Sequence, residues 1–355
     1  MKYRLLDICE FVSDKVDVYY ITTNNYISTE NMIANKSGVT VAEKIPSIKR
    51  VNSFQHKDVL ISNIRPYFQK IWFSDKKGGC SADVLVLRAK NFVVPEFLYC
   101  TLATDGFFNY MTATAKGTKM PRGDKQAIQN YEIDLPSIEV QTKIAHIIFQ
   151  INSKIKVNGK INDNLAQQAQ VIYASTFIVN ANPSWEKGHL SDLITVKYGK
   201  DHKKLIDGNI PVYGSGGVMR YVERPLYTQE SVLIPRKGTL NNVIYVNEPF
   251  WSVDTMFYTE MKMKNVAKFV YHFISNKDLS AMNAGSAVPS MTTDILNAMV
   301  VSIPDAKTLS FFESTTAPIY AQIRGNAVEN KKLAELRDTL LPKLISGEIE
   351  MPGIE

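Results

Sequence analysis

The 355-residue chain repeats itself. Shifted by 168 positions, one long stretch falls on another without a gap. Gly117 meets Gly285, Pro121 meets Pro289, Ile128 meets Leu296, Pro136 meets Pro304, Ile155 meets Ile323, Asn158 meets Asn326, Asn162 meets Asn330 and Leu165 meets Leu333. A period this long is no solenoid. It requires two copies of a whole module, each a globular part followed by a helical part, with similar surfaces related by a pseudo-two-fold axis. The globular parts repeat with loops of unequal length. Ser231-Val-Leu-Ile-Pro235 answers Asp58-Val-Leu-Ile-Ser62 at an offset of 173, Trp251–Phe257 answers Cys80–Val86 at 171, and Leu190–Leu193 answers Leu5–Ile8 at 185.

The repeat divides the chain into residues 1–136, 137–180, 181–304 and 305–355. The first and third segments are mixed and mostly β: Asp58–Phe73 and Ala82–Arg88 are rich in β-branched and aromatic residues, and Pro95–Leu102 reads as a short helix with proline in its first turn. After Pro136 and Pro304 a heptad pattern takes over. Its seam runs through Ile144, Ile148, Ile151, Ile155, Leu165, Ala169, Ile172 and Thr176. In the second copy it runs through Phe312, Thr316, Ile319, Ile323, Leu333, Leu340 and Leu344. Pro318 should kink or restart that second helix, because it removes a backbone donor. Both seams carry two polar layers, Asn158 with Asn162 and Asn326 with Asn330. Buried asparagine sets register, so the two helices are expected to pair antiparallel with Asn facing Asn. A helix of about 40 residues is ~60 Å long. The fold class is therefore α+β, with two mostly β domains separated by two long helices forming an antiparallel coiled coil.

Composition narrows the function. No apolar run approaches a membrane span, and Asp7 and Glu10 interrupt the N-terminus before a signal-peptide core could form. Cys9, Cys80 and Cys100 are widely spaced, which fits three core thiols in a reducing cytoplasm better than a disulfide framework or zinc site. The five histidines lack metal-ligand spacing, so no metal site is expected. The net charge of +6 permits nucleic-acid binding without requiring it. Two similar basic domains on a rigid spacer match the geometry of a reader of two DNA half-sites. Catalytic motifs are missing. Asn182-Pro183-Ser184-Trp185 lacks the second proline of an adenine-methyltransferase loop and reads as a linker turn with Trp185 packed in the second domain. Tyr213–Gly217 lacks the spacing of a phosphate loop. Asp83 and Asp254, each following a Ser by two positions, read as a repeated turn.

The ordered set Asp58–Pro66, Ile210–Gly217, Ser231–Leu240, Phe250–Phe257 and Leu336–Glu348 resembles the specificity subunits of type I restriction–modification enzymes over essentially the whole chain. That resemblance implies target recognition domain, spacer helix, target recognition domain, spacer helix. It implies a chain without chemistry of its own that binds double-stranded DNA and two adenine methyltransferase subunits, joined in some systems by restriction subunits. It also implies S-adenosylmethionine in the methyltransferases, ATP and magnesium in the restriction subunits, and no cofactor here. The competing classes are a coiled-coil adaptor with two ligand-binding β domains and a free-standing nuclease or methyltransferase.

Candidate DNA contacts follow from residue type. In the first domain they are Asn63, Arg65, Tyr67 and Lys70, with the loop residues Lys116, Thr118, Lys119, Arg122 and Lys125. In the second they are Tyr213, Ser215, Arg220, Arg236, Lys237, Thr239, Asn241, Asn242 and Ser286. Cations suit phosphates, glycine allows close backbone approach, and amides suit adenine edges.

Overall fold

The computed structural model describes residues 2–282 and 289–349, and divides into two compact units, residues 1–158 with 327–355, and 159–326. Each contains one globular domain, part of the helix Ile138–Ala174 and part of the helix Ala306–Ser346.

The domains share a scaffold. In the first, an antiparallel sheet has the order Cys9–Phe11, Val84–Ala89, Val59–Ser62, Ile71–Phe73. In the second, Ile194–Tyr198, Met256–Met261, Ser231–Pro235 and Ile244–Val246 take the same order. The central strands Val59–Ser62 and Ser231–Pro235 are buried throughout, which is why they read as unbroken apolar runs. A two-stranded clasp closes each domain: Lys2–Arg4 pairs with Glu132–Asp134, and Lys187–His189 with Val300–Ser302. The clasp ends three residues before each long helix, so it fixes where that helix leaves. A one-turn helix follows each first clasp strand, with Asp7 and Asp192 accepting the N–H of Arg4 and His189.

One corner differs in chemistry. Asp58, 1% exposed, takes Arg88 in a bidentate pair at 2.9 and 2.8 Å and also the Gln55 N–H. In the second unit Ser231 stands in that place and exchanges hydrogen bonds with Thr259, a neutral solution to the same strand contact.

Each core takes side chains from both long helices. Phe97, Phe107 and Phe108 are fully buried in the first core, each contributing roughly 1.5–3 kcal/mol. They share it with Ile144 and Ile148 from one helix and Leu341 and Leu344 from the other. The second core pairs Tyr173 and Phe177 with Leu309 and Phe312. In each unit the start of one helix therefore lies against the end of the other. The helices run antiparallel, as the seam implies.

The asparagine layers face one another. In the first unit Asn158 Nδ2 donates to Asn330 Oδ1 at 2.9 Å, and Asn330 Nδ2 donates to the Ile155 carbonyl at 3.3 Å. In the second, Asn326 Nδ2 donates to Asn162 Oδ1 at 2.8 Å, and Asn162 Nδ2 to the Ile323 carbonyl at 3.2 Å. These Asn–Asn and Asn–carbonyl bonds correspond at the 168-position offset; in addition Asn158 Nδ2 donates to Glu329 Oε2 at 2.7 Å, and Asn326 Oδ1 accepts from Gln322 Nε2 at 2.7 Å.

Of the two outcomes expected at Pro318, a restart does not occur: the helix Ala306–Ser346 runs through it. Pro318 and Ser314, whose carbonyl loses its donor, are both on the exposed face, so water can satisfy the orphan while Phe312 and Thr316 hold the buried face. The central helix ends in a π-helical turn, Ser175–Val179. The turn at Asn182 and the packing of Trp185 follow expectation: Asn182 Oδ1 accepts the Ser184 N–H, and Trp185 stacks near Phe177 while its Nε1 donates to Asp305. All three cysteines are free and buried, and burial pushes the Cys9 and Cys80 thiols up to about 12.

The second unit anchors its domain to the helices with polar groups. Buried Lys268 pairs with Glu313 at 2.7 Å and Glu230 at 3.3 Å. Buried His272 bridges Gln170 (2.7 Å) and Tyr320 (2.8 Å) and stacks on Tyr173. Burial lowers the imidazole to about 4 from its ordinary 6.5. An unfolded imidazole takes a proton below pH 6.5 that the folded one refuses until about pH 4. The stability His272 contributes is therefore complete above pH 6.5 and is lost as the pH falls toward 4. We expect about 2 kcal/mol of loss at pH 5 from this group; thermal melts at pH 7 and pH 5 should show that part of the shift in the parent and not in His272→Gln. Separately, Arg88→Met should destabilise the first unit by about 3–5 kcal/mol in urea denaturation, because it strands the Asp58 carboxylate. Ser231→Ala should cost only about 1 kcal/mol.

Candidate nucleic-acid interface

In the first domain the two groups of candidate residues meet at one edge. The strand Val59–Ser62 ends at Asn63, whose N–H donates to the Asp83 carbonyl (2.8 Å) and whose own carbonyl accepts from Gly123 (3.0 Å). Arg65 N–H donates to the Pro121 carbonyl at 2.7 Å. Lys116 and Arg122 exchange both backbone hydrogen bonds (2.8 and 2.9 Å), closing a loop that lifts Gly117, Thr118 and Lys119 into solvent. Gly117 at φ +95° makes that turn. Arg122 reaches Asp83 at 3.1 Å and Lys116 reaches Asp124 at 2.5 Å. Asp124 also caps the short helix Lys125–Gln129, leaving Lys125 exposed at its first position. Tyr67 is exposed and packs on Phe68, whereas Lys70 turns inward: its ammonium donates to the Thr29 carbonyl at 2.6 Å and burial lowers its pKa. Asn63 is buried, and its Oδ1 has no protein partner among the described residues. Exposed Lys119 and Lys125 and half-buried Arg65 are the cations here that neither a carboxylate nor, as for Lys70, a backbone carbonyl holds among the described residues.

Strain concentrates at this edge. Arg65 (φ +50°), Gln69 (+51°), Asn35 (+56°) and Lys36 (+61°) all sit in the left-handed region. The Asn35 and Lys36 N–H groups donate to the Phe68 and Gln69 carbonyls. Each such residue costs on the order of 1 kcal/mol, a cost characteristic of binding loops. Asn35 and Lys36 were not among the sequence candidates. The Asn-Lys-Ser-Gly run at 35–38 marks a turn but not what it touches.

The second domain keeps the frame and changes the side chains. Arg236 stands in the place of Asn63: its N–H donates to Thr255 (2.9 Å) and its carbonyl accepts from Met291 (2.9 Å). Gly238 at φ +88° stands where Arg65 takes the same hand. The loop closes on the turn between Asp207–Gly214 and Gly217–Val222, with Asn242 Nδ2 donating to the Ser215 carbonyl at 2.8 Å. Gly238 favours this turn, since φ +88° strains a side-chain-bearing residue and a Cβ would also come 2.8 Å from Ser215 Oγ. Arg236 lies over the Tyr198 ring at 5.4 Å and donates to the Asp254 carbonyl. Tyr198 was missed because the contact spans 38 positions and leaves no local signal. Lys237 and Thr239 are exposed. Four candidates are occupied internally: Arg220 by Asp207 and the Leu205 carbonyl, Asn241 by Asp278, Asn242 by the Ser215 carbonyl, and Tyr213 by Glu248. Ser286 lies outside the described residues. The Ser–Asp turn forms at Ser81, whose Oγ accepts the Asp83 N–H, while buried Ser252 Oγ has no protein partner among the described residues.

No cluster of potential metal ligands occurs among the described residues, and none of their helices is long and apolar enough to cross a membrane. The protein family described as type I restriction modification DNA specificity domain matches residues 1–167 and again 182–330. The type I restriction enzyme HindI specificity subunit of Haemophilus influenzae is 21% identical over 467 residues, covering 98% of this chain and 99% of that one. The MjaIX specificity subunit of Methanocaldococcus jannaschii is 22% identical over 306 residues, covering 74% of this chain and 71% of that one. The crystal structure of a type I restriction–modification S subunit from M. genitalium shares the fold, with a TM-score of 0.57 and 17% identity, covering 97% of this chain and 96% of that chain. With its scaffold and its family match both present twice, the chain belongs to the type I restriction–modification specificity family, as a specificity subunit carrying two DNA specificity domains.

Proposed function

We propose that each domain reads one half of a bipartite, asymmetric DNA site, and that the paired helices set the gap and dock two adenine methyltransferase subunits. The observation that carries this reading is the repeated main-chain frame under unlike side chains. Gly123 N–H to Asn63 O and Met291 N–H to Arg236 O hold equivalent loops in equivalent places. Those loops present Arg65, Tyr67, Lys119 and Lys125 in one domain, and Arg236, Lys237 and Thr239 in the other. Equal scaffolds suit two copies of one methyltransferase; unequal loops suit two different half-sites. The chain contributes recognition, and the methyl donor S-adenosylmethionine belongs to the partner subunits. Lys116 and Arg122, each ion-paired, shape the loop in this scheme, and exposed Lys119 and Lys125 meet phosphate.

Arg236→Ala combined with Lys237→Ala should weaken DNA binding by the assembled methyltransferase and flatten its salt dependence by roughly one to two units of log K against log salt. Unchanged affinity and slope would remove these residues from the interface. Inserting one heptad into each helix adds ~10 Å, about three base pairs of B-DNA. Methylome mapping should then show a longer gap, and the old gap would end the ruler reading.

A further inference from the structure

A second repeat lies outside every residue assigned above. Asp17-Val-Tyr-Tyr-Ile21 and Asp201-His-Lys-Lys-Leu205 have little sequence in common but build the same turn. Asp17 Oδ1 accepts the Tyr19 N–H at 2.9 Å, and Asp201 Oδ1 accepts the Lys203 N–H at 3.1 Å. The Ile21 N–H donates back to the Val18 carbonyl (2.9 Å), and the Leu205 N–H to the His202 carbonyl (3.1 Å). Ile21 and Leu205 are the buried anchors. Gly79 makes room for the first: a Cβ there would come 3.0 Å from Ile21 Cδ1 and 2.5 Å from Val51 Cγ2. Ahead of each anchor the turn raises two large side chains into solvent. Tyr19 and Tyr20 are 86% and 70% exposed, edge to face at 5.3 Å, and Lys203 and Lys204 are exposed likewise.

Sheet register places the first turn at the same end of the sheet as the contacts of Arg122 and Lys70. Asp17 pairs with Arg50, and Asn52 with Cys80, so Asp17, Arg50 and Ser81–Asp83 share one end of the sheet. Tyr26–Ile27 runs parallel to Gly78–Cys80 and leaves at that end toward Thr29. Asp83 holds Arg122 there, and the Thr29 carbonyl holds Lys70. Exposed Lys49 and Arg50 flank the tyrosines, with the Val18 N–H bonded to the Lys49 carbonyl. In the second domain the loop springs from Lys200, whose N–H bonds to the Ser252 carbonyl, two residues from Asp254, which receives Arg236.

We propose that these turns are an equivalent pair of DNA-contacting elements, working by different chemistry in the two half-sites. Tyr19 and Tyr20 pack their ring faces on base and sugar surface, and Lys203 and Lys204 neutralise phosphate. Two adjacent tyrosines 86% and 70% exposed bury little surface in the fold, and aromatic faces and ammonium groups are both side-chain chemistries that nucleic acid takes. The inference rests on the DNA-reading function proposed above.

The test compares double variants of the full chain in its methyltransferase complex, on a duplex bearing the mapped site, over a salt series. Tyr19→Ala with Tyr20→Ala should lower affinity about ten-fold with the salt slope unchanged, since no counterion is released. Tyr19→Phe with Tyr20→Phe should keep parental affinity. Lys203→Ala with Lys204→Ala should lower affinity and reduce the slope by roughly one to two. Parental affinity in both alanine pairs, with the Arg236/Lys237 pair still weakened, overturns this inference and leaves the DNA-reading function standing. Parental affinity in all three pairs overturns both. Loss of methyltransferase co-purification with the tyrosine pair would mark a protein contact and also overturn the proposal.

Discussion

Register in the helix pair is the constraint on which both units depend. Isoleucines and leucines alone would let the helices slip by a heptad at little cost, because each apolar layer resembles the next. The amides do not allow this. Asn158 and Asn326 are buried, and each finds its partner at one register only, Asn330 in the first unit and Asn162 in the second. Slippage would leave buried amides unpaired, at about 1–3 kcal/mol each. That penalty also protects the globular cores. Ile144 and Leu341 enter the first core from different helices, and Tyr173 and Phe312 enter the second. One slipped layer would empty those positions.

The loops that carry the candidate contact residues hang on the same principle of separating frame from face. They are held by main-chain hydrogen bonds, from Gly123 to Asn63 and from Met291 to Arg236, which any side chain can accompany. Asn63 can thus become Arg236, and left-handed Arg65 can become Gly238, with the loop still in place. The buried corner at Asp58 and Ser231 shows the same freedom inside a sheet: an ion pair with Arg88 and a hydroxyl pair with Thr259 both satisfy the strand edge. A scaffold of this kind supports change in the letters it presents without a new fold.

Much of this was legible in residue order. The heptad seams, the four asparagines, the buried strands at 59–62 and 231–235 and the turn at Asn182 all leave local patterns, since each depends on neighbours within a few positions. Pro318 does not restart its helix: Ser314, whose carbonyl loses its donor, lies on the exposed face, where water can take the place of the missing N–H. The candidate contact residues could be gathered from sequence but not sorted. Lys70, Arg220 and Asn241 are spent on Thr29, Asp207 and Asp278, partners 41, 13 and 37 positions away. The Asp17 and Asp201 turns escaped notice entirely: they share a hydrogen-bond pattern and an anchor, and only the backbone displays both.

The sequence by itself determined that there are two modules, that each ends in a seamed helix, and that the helices pair antiparallel with amide on amide. Periodicity and spacing are properties of the chain. Tertiary structure alone decided which charged and aromatic side chains remain available at the rim. Availability depends on what long-range folding brings within about 3 Å of each group, and a hydrogen bond across 40 residues leaves no mark on the residues between.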